Sequence, residues 1–288
     1  MTLHVDWGAL NGRDDAEVCG LEAAAAPGSP TGLVAVRGGG GRLLRAEAPP
    51  VLVVGSSGGS GTTTTTLGLA AAAASCSDGE LWPVAVDATL GGGDLAARGC
   101  DAVAAASSLQ SWLATDQPQL PSTVSAFTGA TSTGAAVLAR TPDPLPGRQS
   151  YVAVHRHLEA AGALPIYDAG APVSNRLVSP LLADPRIALV ITVAARADAL
   201  NRLIPVLRWL DDHFGQFHIA DAVLVVTQQI PGAGSAAIHH LRAHLGAWVR
   251  SVVAIPYDLH LAEGGPVSWH RLAGHTRAAY VHLMGDLR

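Results

Sequence analysis

The residue types able to do chemistry gather in one stretch, Gly55-Ser-Ser57-Gly58-Gly59-Ser60-Gly61-Thr62-Thr63-Thr64-Thr65-Thr66. Glycines at 55, 58, 59 and 61 let the backbone take positive φ and approach a ligand closely, so successive N–H groups can point at one anion. Threonine hydroxyls placed after them can cap a helix start or reach a metal ion. Phosphate binding is the chemistry this pattern serves. Set against the phosphate-loop pattern G-x-x-x-x-G-K-[ST], Gly61 and Thr63 hold their places, while Ser56 stands at the leading glycine and Thr62 at the lysine. Two other readings remain open. Gly55-Ser-Ser57-Gly-Gly59 also spells the nucleophile elbow G-x-S-x-G, with His270 or His275 as a late base, and the same turn can join a strand to a helix with no ligand at all.

Two carboxylates share a second pattern. Asp87 ends the apolar run Pro83-Val-Ala-Val86, and Asp168 ends another that finishes in Ile166-Tyr167. Carboxylates at the C-terminal ends of adjacent parallel strands lie at the sheet edge where ligands bind, and can hold the water shell of Mg²⁺. Capping the next turn is their alternative use. His239, His240 and His244 place two imidazoles at i, i+4, but no third ligand follows in sequence, so a solvated helix face is expected. Cys19, Cys76 and Cys100 are odd in number and widely spaced, and read as small buried hydrophobes.

These residues need elements to position them. Val51-Leu-Val-Val54 is too short for a helix and β-branched, and the Ala-rich segment after the threonines is helical, so the loop joins a strand to a helix. The threonines, each roughly half a kcal/mol worse than alanine inside a helix, do least harm in its first turn. Beyond the loop the pattern alternates. Strands are expected at 51–55, 83–87, 136–140, 163–168, 187–193, 221–227 and 251–255, and helices at 63–75, 107–114, 150–161, 173–182, 198–213 and 234–246. Such alternation predicts an α/β fold, a doubly wound, mostly parallel sheet covered on both faces. Residues 1–49, rich in Gly, Ala and Pro with one hairpin at 33–45, read as an appendage to a domain over 50–288.

With 288 residues, 49% hydrophobic and 14% charged, the chain can bury a full core. No apolar run is long enough to span a membrane and the start lacks the layout of a secretory signal, so the cytoplasm is the expected location. A net charge of −5 gives no general attraction for nucleic acid, a local patch excepted. All 18 basic residues are arginine, so only arginine can bring a fixed positive charge to a phosphate.

Together these motifs resemble the ParA/MinD superfamily of deviant Walker A ATPases, over about 50–285. Ser57-Gly-Gly-Ser-Gly61-Thr62-Thr63 is similar to their loop, Val86-Asp87 through Asp94-Leu95 to the second strand and switch I, and Ile166-Tyr-Asp168 to Walker B. Val252-Val-Ala-Ile-Pro256-Tyr-Asp258, followed by Glu263-Gly-Gly-Pro-Val267, resembles the segment that lies near the adenine. The resemblance implies ATP and Mg²⁺ as cofactors, with Gly58, Gly59, Ser60, Gly61, Thr62, Thr63, Thr64 and Pro256 on the nucleotide and Thr63, Asp87 and Asp168 around the metal. It also implies a homodimer that positions or regulates a protein partner. Three departures bear on catalysis: Ser57 replaces the lysine that crosses the dimer, Thr62 the Walker lysine, and Thr89 a second switch I aspartate. Binding is therefore expected to survive better than hydrolysis. Atypical loops of this kind resemble the pilus- and secretion-associated CpaE/TadZ-like branch. A scaffold of the same fold without nucleotide, and a serine hydrolase using Ser57, are the alternatives.

Overall fold

The computed structural model describes residues 48–288 except Asp78, Arg148 and Ala233. The hairpin expected at 33–45 and nearly all of the expected appendage lie outside the described residues, as does Cys19.

The elements run β1 (Val51–Gly55), α1 (Thr62–Cys76), β2 (Pro83–Asp87), α2 (Leu95–Gly99), α3 (Leu109–Leu113), α4 (Pro121–Phe127), β3 (Gly129–Ala130), β4 (Ala136–Leu138) and α5 (Tyr151–Ala160). There follow β5 (Leu164–Gly170), α6 (Ser179–Leu182), β6 (Ala188–Ala194), α7 (Ala197–Phe214), α8 (Gln216–Ala220), β7 (Val223–Thr227), α9 (Ser235–Leu245), β8 (Ser251–Ile255), α10 (Leu259–Ala262) and α11 (Gly274–Asp286). They build one eight-stranded sheet in the order β3-β4-β2-β5-β1-β6-β7-β8. Every pairing is parallel except β3 with β4.

Side chains alternate across the sheet, so each strand feeds two cores. Leu52 and Val54 join the layer that holds Tyr151, Leu158, Leu203 and Leu207, whereas Val51 and Val53 join α1 and α11. Helix α1 has apolar residues all round because it lies between the sheet and α11. Gly68 makes that layering possible. A Cβ there would sit 2.4 Å from the ring of Tyr280, a side chain with no solvent exposure.

Each expected strand is present, with ends within two residues. The helix expected over 173–182 is shortened to α6. Its first half is a turn in which the Leu177 N–H donates to Asn175 Oδ1 (3.0 Å), a local bond that competes with helical pairing. Helix α11 is not among the helices expected from sequence, because Gly, His and Arg interrupt it. Its buried face, Thr276, Tyr280, Leu283 and Met284, nevertheless keeps helical spacing. The reading of the cysteines needs correction too: Cys76 and Cys100 are half-buried, since both lie where helices end at the rim of the core.

Candidate functional site

The loop between β1 and α1 is held from below by the ends of neighbouring strands. Thr192 interrupts the valine and isoleucine run of β6, Thr227 ends the valine run of β7, and both hydroxyls face the loop. Thr192 Oγ1 lies 2.9 Å from Ser60 Oγ, and the Thr192 carbonyl accepts from the Ser56 N–H at 2.9 Å. Thr227 Oγ1 donates to the Ser60 carbonyl at 3.0 Å, and Gln229 Nε2 donates to the Gly59 carbonyl. These bonds pin the loop without using the N–H groups of Gly58, Gly59 or Gly61.

Gly61 precedes α1 with φ +90°, in the left-handed region. A Cβ there would also lie 3.0 Å from Thr227 Cγ2. Glycine is thus required at this point by torsion and by space. The first N–H groups of the 15-residue α1 then face the loop with the positive end of the helix dipole behind them.

Asp168 and Asp87 are register partners on the adjacent strands β5 and β2. The Thr63 hydroxyl donates to Asp168 Oδ2 at 2.6 Å, and the Gly170 N–H to Asp168 Oδ1 at 3.1 Å. Burial pushes the Asp168 carboxyl up to about 6. The Thr63 bond opposes that rise, the charge of Asp87 adds to it, and the Thr62 hydroxyl and Gly170 N–H hold it back. Asp87 is surrounded differently. Its Oδ1 accepts from the Thr89 N–H (3.0 Å) and hydroxyl (2.6 Å), and its Oδ2 from the Gly93 N–H (2.7 Å). That is the turn-capping use of an aspartate, and it shapes the segment leading to α2.

Thr63 with Asp168, and Asp87 beside them, thus stand where a hydrated Mg²⁺ fits: hard oxygen donors, few in number, at the head of the glycine-rich loop. Among the described residues no group of three or more His, Cys, Asp or Glu could hold an ion by itself, so any metal here would lean on water and on ligand oxygens. His240 and His244 lie on the exposed face of α9, their rings 4.1 Å apart.

A cleft of about 570 Å³ opens beside the loop. Gly59, Gly61, Thr62, Thr63 and Thr64 form one end, and Pro256, Tyr257 and Asp258 the other. Gly58 and Ser60 are not among its lining residues: Gly58 is exposed at the loop's crest, and Ser60 is buried beneath it. Neither His270 nor His275, one of which a nucleophilic Ser57 would need as its base, lines it. Two arginines that the motifs did not single out stand nearby. Arg140, 8% exposed just beyond β4, donates through Nη1 to the Thr89 carbonyl. Arg98, at the end of α2, lines the cleft itself. Neither belongs to a motif, and only the absence of lysine pointed to arginine.

No protein-family profile matches the chain, and neither does any curated protein. Solved structures do. A ParA family ATPase from Chlorobium tepidum TLS is 17% identical, covering 82% of this chain and 99% of that one, with a TM-score of 0.60. A single-residue variant of McdA from Cyanothece, solved as a complex with ATP, is 14% identical over 84% of this chain and 97% of its own, TM-score 0.56. The Pyrococcus furiosus cell division ATPase MinD is 17% identical over 82% and 97%, TM-score 0.53. At such identities the likeness establishes the fold.

Proposed function

We propose that this chain, which has the ParA/MinD-type fold, binds ATP with Mg²⁺ as a homodimer and positions or regulates a partner assembly of secretion, pilus, conjugation or partition type. Hydrolysis is slow or absent. The observation that carries the reading is the Thr63 hydroxyl 2.6 Å from Asp168, at the head of a helix entered through left-handed Gly61, with a cleft beside it. Such a loop offers a triphosphate its backbone N–H groups and a metal its hydroxyl and carboxylate.

In this reading the nucleotide meets Gly59, Gly61, Thr62, Thr63, Thr64 and Pro256 along the cleft, Gly58 at the crest and Ser60 beneath shape the loop that holds it, and Thr63, Asp87 and Asp168 surround the metal. Slow turnover follows from what replaces the charged groups. Thr62 puts a neutral hydroxyl where an ammonium would meet the β- and γ-phosphates, and no lysine exists to take over. A lost charge-assisted contact is worth about 1.5–3 kcal/mol in binding and more where charge develops in a transition state. The atypical loop also favours the CpaE/TadZ-like branch, with residues 1–49 as an appendage to the 50–288 domain. Among the described residues no helix is long and apolar enough to cross a membrane, and we place the protein in the cytoplasm.

Equilibrium titration with fluorescent ATP and ADP, with and without Mg²⁺, tests the proposal. Binding should be strengthened by Mg²⁺ and lost in Gly61→Val, while phosphate release stays at the level of an Asp168→Ala control. Thr62→Lys should raise ATP affinity roughly ten- to a hundredfold. A folded chain that binds neither nucleotide would leave the scaffold reading in place.

A further inference from the structure

We infer that Arg98 is the cation that meets the nucleotide's phosphates, entering from α2 at the α/β-phosphate end in place of the lysine missing from the loop. The inference rests on the nucleotide reading above and adds to it a residue outside the loop.

Among the described residues that line the cleft, Arg98 alone carries a fixed positive charge. It shares that lining with Thr62, Thr63 and Thr64 at one end and Asp258 at the other, and the next residue, Gly99, packs so closely on α1 that a Cβ there would lie 2.5 Å from Leu67 Cδ2. Its position is fixed by its own backbone, since the Val267 N–H donates to the Arg98 carbonyl at 2.6 Å and ties α2 to the segment after α10. Tyr280 marks the same corner. Its hydroxyl donates weakly to the Thr64 carbonyl (3.4 Å). Burial and the charge of Asp258 make that phenol harder to ionise, and the nearby Arg98 charge works against them.

This guanidinium is not spent on a protein anion. Arg98 Nε is buried with no hydrogen-bond partner, and Arg98 takes part in none of the ion pairs among the described residues, although Asp94 and Asp258 line the same cleft. A part-buried, unpaired charge is costly unless a ligand neutralises it. Asp258 is already committed, accepting from the His260 and Ala273 N–H groups. Arg140, the other candidate, is tied to the Thr89 carbonyl and does not line the cleft.

Place decides which phosphate is met. In a phosphate loop the backbone N–H groups cradle the α- and β-phosphates, and the lysine reaches the β- and γ-phosphates. Thr64, which Tyr280 ties to the corner of Arg98, is one residue further into α1 than Thr63, the residue this reading assigns to the metal. Arg98 therefore acts on ADP as much as on ATP, unlike a Walker lysine.

Affinities of the full chain for adenosine, ADP and ATP, measured by displacement of a fluorescent ATP, test this in wild type, Arg98→Ala and Arg98→Lys. Arg98→Ala should lose tenfold or more for ADP and ATP alike and nothing for adenosine, and Arg98→Lys should recover part of the loss. Equal losses for all three ligands would mean that Arg98 supports the fold or the base end, and would overturn the inference. Unchanged ADP and ATP affinities in Arg98→Ala would overturn it while leaving the nucleotide reading intact. A wild-type chain that binds no ligand would overturn both.

Discussion

Asp87 and Asp168 face each other in register at the ends of neighbouring strands, both almost fully buried, and they do opposite things. Asp87 is satisfied by two backbone N–H groups and a hydroxyl, all from the seven-residue stretch that starts with it. Asp168 takes one of its bonds from a hydroxyl more than a hundred residues away, and its carboxyl is pushed up to about 6. The difference teaches where fold and function divide at this edge. A carboxylate supplied with local N–H donors stabilises its loop, and a carboxylate whose donors do not offset its burial is poised for a cation or a proton.

The largest effect expected from breaking this contrast is on Asp87. Asp87→Ala strands the Thr89 and Gly93 donors, each worth about 1–3 kcal/mol when left unmade. Partial hydration of that exposed segment limits the total, and urea denaturation should show a loss of about 3–4 kcal/mol. A loss under about 1 kcal/mol would mean that Asp87 is as unspent as Asp168.

Asp168→Asn should move stability the other way. The folded pKa of about 6 lies above the unfolded 3.8, so the native state holds more protons between those values and stability falls as pH rises through that window. The cost, on the order of 2–3 kcal/mol, is fully present above about pH 6 and absent below about 4. Asparagine removes the charge, keeps an oxygen for the Gly170 N–H, and lets the Thr63 hydroxyl turn to accept. The variant should be about 2 kcal/mol more stable than wild type at about pH 7.5, and no more stable near pH 4. A destabilised Asp168→Asn at neutral pH would remove the distinction between the two carboxylates.

How much of this was legible in the sequence follows the same line between local and distant partners. The strand, loop and helix around Gly61 could be read because glycine spacing, the Val51–Val54 run and the alanines of α1 are contiguous signals. Asp87 and Asp168 stood out because each closes an apolar run. The pinning hydroxyls of Thr192 and Thr227 did not: their partners are more than a hundred residues away, and a threonine within a valine strand is ordinary β-branched composition. Arg98 and α11 escaped for a related reason. Arg98 has meaning only once α2 is folded against α1, and α11 hides its apolar stripe among His, Arg and Gly. The unequal use of the two aspartates was likewise out of reach, since it depends on which donors the folded loops bring to each.

A smaller effect separates the carboxylates under titration with metal. In the proposed complex with ATP the Mg²⁺ needs Asp168 ionised, so the gain in ATP affinity brought by Mg²⁺ should be flat from about pH 8 to about 6.5 and then fall by up to about tenfold per unit below the value near 6. In Asp168→Asn the gain should be small at every pH. A Mg²⁺ effect undiminished near pH 5 would mean that the metal is held without Asp168.

The smallest expected effect sharpens the contrast most, because it removes the strongest of the hydroxyl bonds that join Asp168 to the loop. Thr63→Val keeps shape and β-branching and deletes the hydroxyl that lies 2.6 Å from Oδ2. That bond favours the ionised carboxylate against burial, so without it the Asp168 carboxyl must rise above its present value near 6. At about pH 7.5 the lost hydrogen bond to a charged group should cost about 1–2 kcal/mol, less whatever Asp168 recovers by taking up a proton. The cost should shrink as pH falls, since a protonated Asp168 asks less of its donor. Urea denaturation at about pH 7.5 and about pH 5 gives the comparison, and difference spectroscopy of the carboxyl stretch, referenced to Asp168→Asn, follows the titration itself. A carboxyl that titrates as before in Thr63→Val would mean that Thr63 does not govern Asp168, and that the loop and the β5 carboxylate are neighbours without being one site.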